Sequence, residues 1–194
     1  LNEMPAGADP LGPDNMLALS LSVVTGAPVS GQSRMTATAK SPLSGMIGDS
    51  QCGGFWPAKL KFAGFDAIIT KGRAASPVYL WIDDGRAELK DASHIWGQTT
   101  GDAQAAIMQE LGDEKDIEIL QIGPAGEKLV RDASLINMCN GANGRTGMGA
   151  VMGSKNLKAV AVRGDNKPQV ADKEALQELK EWGTKTFPTA DVAG

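Results

Sequence analysis

Two cysteines, one histidine and one tyrosine in 194 residues are too few for most of the chemistry a chain this long could carry. Cys52, Cys139 and His94 cannot by themselves assemble a zinc site or a cysteine-ligated iron–sulfur cluster. A Ser-His-Asp triad would depend wholly on His94, and no nucleophile signature lies near it. No apolar run approaches the roughly 18 residues of a membrane span. The best stretch, residues 16–24, is about half that length and is broken by serines. No secretory leader pattern is visible in a stretch that begins at Leu1 rather than Met. A long basic face is also missing, and the net charge of −4 argues against nucleic acid as the main partner. Length and an ordinary 42% hydrophobic content then leave one large soluble domain, or one and a fraction.

The absence that points somewhere is local. Residues 133–164 contain no Asp or Glu, and neither do residues 26–48, although the chain carries 23 acids. The first of these runs holds Arg145, Lys155, Lys158 and Arg163, and the second Arg34 and Lys40. Residues 140–162 read NGANGRTGMGAVMGSKNLKAVAV, with Gly141, Gly144, Gly147, Gly149 and Gly153 packed into thirteen positions. Glycine at that density frees the backbone for positive φ and for close approach of a ligand. Successive N–H groups in such a loop, continued into a helix start, make an anion cradle. An acidic protein that clears acids from two glycine-rich basic stretches is built to hold an anion there.

Along the chain, Pro10 and Pro13 mark a turn-rich entry, and residues 16–25 read as a buried strand ended by Gly26 and Pro28. RMTATAK at 34–40 alternates as a strand should, and SPLSGMIGDSQCGGF reads as a second glycine-rich loop. WPAKLKFAGF suits a short helix, with Pro57 in its first turn and Gly64 at its end. Residues 67–70 are a strand. VYLWIDDGRAELK is a hairpin about Asp84-Gly85. An amphipathic helix over 100–111 stops at Gly112; residues 117–122 are a strand, 129–138 an extended segment, 147–153 a short helix of small residues and 157–162 a strand. Asp172 caps a last helix whose Ala175, Leu176 and Leu179 share one face. The pattern predicts an α+β domain of antiparallel or mixed sheet with interspersed short helices.

Three segments, KSPLSGMIGDSQCGGFWPAKLKFAGFDAIITKGRAASPVYLWIDDGRAELKDASHIWG, IGPAGEKLVR and GRTGMGAVMGSKNLKAVAVRG, resemble the N-terminal domain of the aldehyde ferredoxin oxidoreductases over roughly residues 8–164. The resemblance implies a double β-sheet base on which a tungsten bis-pterin (molybdopterin-type) cofactor lies, molybdenum being an alternative metal. It implies two-electron oxidation of aldehydes, or chemistry on a related low-potential substrate, with electrons passing through a 4Fe-4S cluster to ferredoxin or a partner subunit. The cluster ligands and the substrate cavity belong to two later helical domains. The chain is therefore expected to be an interior piece of a larger cytoplasmic, anaerobic enzyme, silent alone, whose partners are the remaining domains and for which a homodimer is an option. Residues 1–170 would be the cofactor-binding domain, incomplete at its start, and 171–194 the start of a helical domain. The metal would be held by the cofactor's dithiolenes, and no protein ligand to it is expected from this domain.

Residue by residue, the family's pterin-binding arginine matches Arg34. Its Asn-Ser-Gly-Gly is here Gln51-Cys52-Gly53-Gly54, and its Arg-Ala-Ala-Gly-Arg is Gly141-Ala142-Asn143-Gly144-Arg145. The implied cofactor-binding set is Arg34, Gln51, Cys52, Gly53, Gly54, Gly141, Ala142, Gly144 and Arg145, with Mg²⁺ bridging the phosphates. Gln51 keeps an amide on a longer arm; Gly141 offers only backbone where the family has an arginine. Cys139 reads as structural, and His94 as a packing or loop-bridging residue. Trp56, Trp81 and Trp96 read as core or domain-contact aromatics, and Gly149 and Gly153 as helix-packing glycines. Lys155 is either a phosphate contact or a solvated helix end. The competing reading is a non-redox phosphate- or nucleotide-binding module, but neither GxxxxGK[ST] nor a strand–GxGxxG–helix unit is present.

Overall fold

The computed structural model describes residues 3–112 and 116–190. Strands β1 (Leu17–Leu21), β2 (Arg34–Lys40) and β3 (Ile47–Gly53) are followed by helix α1 (Trp56–Phe62) and strand β4 (Ala67–Thr70). They form an antiparallel sheet in the order β3-β2-β1-β4. Next come β5 (Val78–Asp83), β6 (Arg86–Asp91), α2 (Thr100–Leu111), β7 (Glu118–Gln121), α3 (Pro124–Glu127), β8 (Leu135–Asn137), β9 (Gly141–Asn143), α4 (Met148–Ser154) and β10 (Leu157–Arg163). The second sheet has the order β6-β5-β10-β7-β8-β9, with β5 and β10 parallel and the other pairs antiparallel. Helix α5 (Lys173–Thr186) and a 3-10 turn (Phe187–Thr189) follow. The α+β double-sheet expectation is met.

Burial explains this layering. The main core brings Leu17, Leu19, Met35 and Ala37 of the first sheet against Leu120, Leu135, Val160 and Val162 of the second, with Trp56, Leu60, Val151 and Met152 from α1 and α4 packed among them. A second cluster, Tyr79, Ile95, Ile107, Ile119, Ala159 and Ala161, lies where α2 covers the other face of the second sheet. Strand β10 is thus buried on both faces, which suits a central strand with a near-continuous apolar run. No helix among the described residues is long and apolar enough to cross a membrane.

Several elements follow the sequence closely. The Asp84-Gly85 turn has φ of 40° and 86°, positive at both positions as a type I′ turn requires. Thr99 caps α2 by accepting from the Asp102 N–H, and Gly112 ends the helix in the left-handed region at φ 73°. Others depart from expectation. The first strand stops at Leu21 rather than running to Thr25, because the Thr25 hydroxyl accepts from the Ser22 N–H at 3.0 Å and donates to the Arg34 carbonyl at 3.3 Å. That closes a turn and leaves Val23 91% exposed. The expected loop over 41–55 contains β3, and the glycine loop after Asn140 contains β9. The expected extended segment 129–138 is strand only from Leu135, since Leu129 takes φ 57° and turns the chain.

Candidate functional site

Strand β3 alternates strictly: Gly48, Ser50 and Cys52 face inward, while Ile47, Asp49 and Gln51 face out. Its partner β2 aligns Arg34 with Gly53 and Thr36 with Gln51, so Arg34 and Gln51 share the outer face of the sheet. The free edge of β3 lies beside β9, the free edge of the other sheet. Where these edges meet, Asp49, Ser50, Gln51, Ala142, Gly144 and Arg145 line an open groove of about 460 Å³. The two acid-free stretches, far apart in sequence, touch nearby, where Ser41 Oγ donates to the Thr146 carbonyl at 2.8 Å.

The groove is the sequence-predicted site only in part. Gln51, Ala142, Gly144 and Arg145 are brought together at it. Arg34, Gly53 and Gly54 sit at the far end of the same hairpin, outside the lining. Neither Arg34 nor Arg145 has a carboxylate partner among the described residues. Asp49, the residue just past the acid-free run, does line the groove, so its charge is mixed rather than purely basic.

Cys52 is turned away from the groove into the core, and its thiol accepts from Asn137 Nδ2 at 3.1 Å. Burial pushes the thiol pKa up, with the Asn137 hydrogen bond and the Arg34 charge opposing, so a neutral thiol is favoured. Two of the glycines answer to packing. A Cβ on Gly54, at φ 120°, would lie 2.2 Å from Asn137 Oδ1, and one on Gly141 would lie 3.1 Å from the Asn137 amide and 3.2 Å from Cys52 Sγ. Gly141 is thus tightly packed, and a Cβ there would press on both side chains. Gly53 and Gly144 are open, with nothing closer than 3.5 Å and 3.8 Å to an added Cβ, so their backbone can meet a ligand.

The lysines of the basic run do not serve the groove. Lys155 is buried and donates to the carbonyls of Asn15 and Gly72, and burial lowers its pKa against the opposing charge of Asp14. It is neither a solvated helix end nor a groove-lining residue. Lys158 is fully buried and paired with Glu127. Arg163 forms a bidentate pair with Asp83 at 2.9 and 2.8 Å and lies over Trp81. His94 bridges elements, its Nε2 3.4 Å from Glu110 of α2. Trp56 is core, donating to the Val160 carbonyl at 2.9 Å. Cys139, read as structural, is exposed at the tip of the β8–β9 hairpin with φ 55°.

Sequence reasoning missed Ser50 and Asn137 and named Asn143 only as part of the glycine motif; all three are buried at the junction of the two sheets. No local pattern marks them: Ser50 lies between Asp49 and Gln51, and Asn137 follows two apolar residues. A larger groove, about 870 Å³, runs between α5 and the turn after β1, lined by Pro28, Phe62, Lys167 and Leu176 among others. It holds none of the predicted site residues. No cluster of three or more His, Cys, Asp or Glu side chains able to hold a metal ion occurs among the described residues.

The sequence model of the aldehyde ferredoxin oxidoreductase N-terminal domain matches residues 1–164. The chain belongs to that family. This family member is 47% identical over its full length to the tungsten-containing aldehyde ferredoxin oxidoreductase of Pyrococcus furiosus, and spans 32% of that protein. It is 34% identical to the WOR-like subunit of an aliphatic sulfonate oxidoreductase from the same organism, with 91% of the chain and 32% of the relative covered. Among solved structures, the BamBC active-site complex of benzoyl coenzyme A reductase, in complex with 1,5-dienoyl-CoA, superposes with a TM-score of 0.92 at 34% identity. That alignment covers 96% of this chain and 28% of the other. The chain thus spans about a third of the length of the curated relatives it matches.

Proposed function

We propose that this chain is the cofactor-cradling portion of a tungsten, or molybdenum, bis-pterin oxidoreductase acting on aldehydes or a related low-potential substrate. The observation that carries the reading is the junction of β3 and β9, where Gln51, Gly144 and Arg145, which has no carboxylate partner among the described residues, line one groove on a family-matched fold. The donor set fits the group. Arg34 and Arg145 offer charge-assisted hydrogen bonds to phosphate, Gln51 an amide, and Gly53 and Gly144 open backbone. When bound, the dithiolene-held metal would supply two-electron redox chemistry, and the protein's part is orientation and electrostatics.

Two phosphates carry more charge than two arginines neutralise, so Mg²⁺ between the phosphates belongs to this proposal. A 4Fe-4S cluster, the substrate cavity and delivery of electrons to ferredoxin or a partner subunit are assigned to polypeptide outside this chain. Residues 1–170 are taken as the cofactor-binding unit and 171–194 as part of a following helical unit; the exposed Leu179, Trp182 and Phe187 support that division.

The test is tungsten and pterin content per purified full-length protein. Removing one charge-assisted phosphate contact costs about 1.5 to 3 kcal/mol, roughly 10- to 150-fold in affinity. Arg34→Ala and Arg145→Ala are expected to lower loading strongly. Lys90→Ala, on β6 at the opposite edge of the second sheet, should leave it unchanged. Equal loading in wild type and both arginine variants would refute the assignment.

A further inference from the structure

We infer that Asn137 and Asn143 are positioning residues that set the geometry of the β3–β9 groove. The two strands belong to separate sheets. What ties them across the junction is side-chain chemistry: Asn143 Nδ2 donates to the Ser50 carbonyl at 2.7 Å and Asn137 Nδ2 to the Gly53 carbonyl at 3.1 Å. The Arg145 N–H adds a bond to Ser50 Oγ at 3.3 Å. The two clamped carbonyls bracket Gln51, so its distance from Arg145 is fixed by amides on β8 and β9.

Both asparagines are fully buried, and Oδ1 of each has no hydrogen-bond partner among the described residues. A buried unpaired acceptor is costly, and an apolar residue of similar size would avoid it. The amide is kept for its donor. Glycine at 54 is the complementary adaptation, because a side chain there would displace the Asn137 amide, and Gly141 packs tightly against the same amide. A third buried amide, Gln121, has the same unpaired oxygen and donates to the Thr100 carbonyl at 2.9 Å, but it ties β7 to α2, away from the groove. It serves as an internal control.

What the groove holds rests on the function proposed above; the clamp itself does not. Asn143→Leu, Asn137→Leu and Gln121→Leu are to be compared in the full-length protein by hydrogen exchange of the segment 47–54, by tungsten content, and by the paramagnetic resonance line shape of the loaded metal. The expected result is faster exchange in 47–54 and an altered line shape with lowered loading in the two asparagine variants, and none of these in Gln121→Leu. If Asn143→Leu fails to fold, Asn143→Ser shortens the donor without adding bulk and gives the same comparison. Unchanged exchange in 47–54, or equal loss in Gln121→Leu, overturns the clamp. Faster exchange with undiminished tungsten upholds the clamp and removes the cofactor from the groove.

Discussion

Replacing Lys158 with methionine should destabilise the fold far more than a surface lysine would. The Lys158 side chain is 0% exposed and its partner Glu127 3% exposed. Lys158 also donates to the Gln98 carbonyl at 3.1 Å, and Glu127 accepts from the Gly97 N–H at 2.8 Å. The pair therefore pins the loop before α2 and the turn of α3 onto the central strand β10. Lys158→Met leaves the Glu127 carboxylate buried with one backbone donor, a loss of about 3 to 5 kcal/mol. That is a large share of the roughly 5 to 15 kcal/mol that holds a domain together. Lys158→Met with Glu127→Leu removes both charges and should recover about half of the loss, leaving about 1 to 3 kcal/mol for the unpaired Gly97 N–H and the lost packing. Urea unfolding followed by the fluorescence of the four tryptophans measures each variant. A single-variant cost below about 1 kcal/mol, or a double variant as costly as the sum of the two singles, would refute the reasoning.

Tyr79 is the only tyrosine, and its buried hydroxyl donates to Glu110 at 2.8 Å. Burial first, then the Glu110 hydrogen bond and the nearby carboxylates, hold its pKa well above the usual phenol range. The native state then keeps a proton that the unfolded chain loses above pH of about 10, so stability falls as pH rises beyond that point. Ultraviolet titration should show phenolate appearing only with unfolding, and Tyr79→Phe should flatten the alkaline decline; a reversible phenolate in folded protein near pH 10 would contradict this. Gly147→Ala, at φ 74° with a Cβ 1.9 Å from the Arg131 carbonyl, should lower the unfolding midpoint sharply, whereas Gly144→Ala should be nearly neutral. Equal thermal midpoints for the two alanine variants would count against the packing described.

What the sequence made legible were elements with a local physical cause. Strand β2 alternates, the 84–85 turn has its Asp-Gly, and α2 has its Gly112 stop. Strands β3 and β9 were hidden because their inward positions are Gly48, Ser50, Cys52 and Gly141, which carry no apolar period and read as loop. Motif matching singled out Gln51 and Arg145, and the fold places them at one groove. The acid-free charge pattern alone does not distinguish Arg145, which lines that groove, from Lys155 and Lys158, which are buried. That difference depends on carbonyls and carboxylates as distant as Asn15 and Glu127. Asn137 and Asn143 were illegible for the same reason, since their partners lie on the other sheet.

The central claim is that the groove between β3 and β9 carries a metal cofactor. Crystals of the full-length protein, produced with tungstate and measured at a tungsten absorption edge, test it directly. The account predicts an anomalous peak beside the groove lined by Gln51, Gly144 and Arg145, with phosphate density reaching Arg34 or Arg145. A tungsten peak remote from that groove, with both arginines facing solvent, would contradict it.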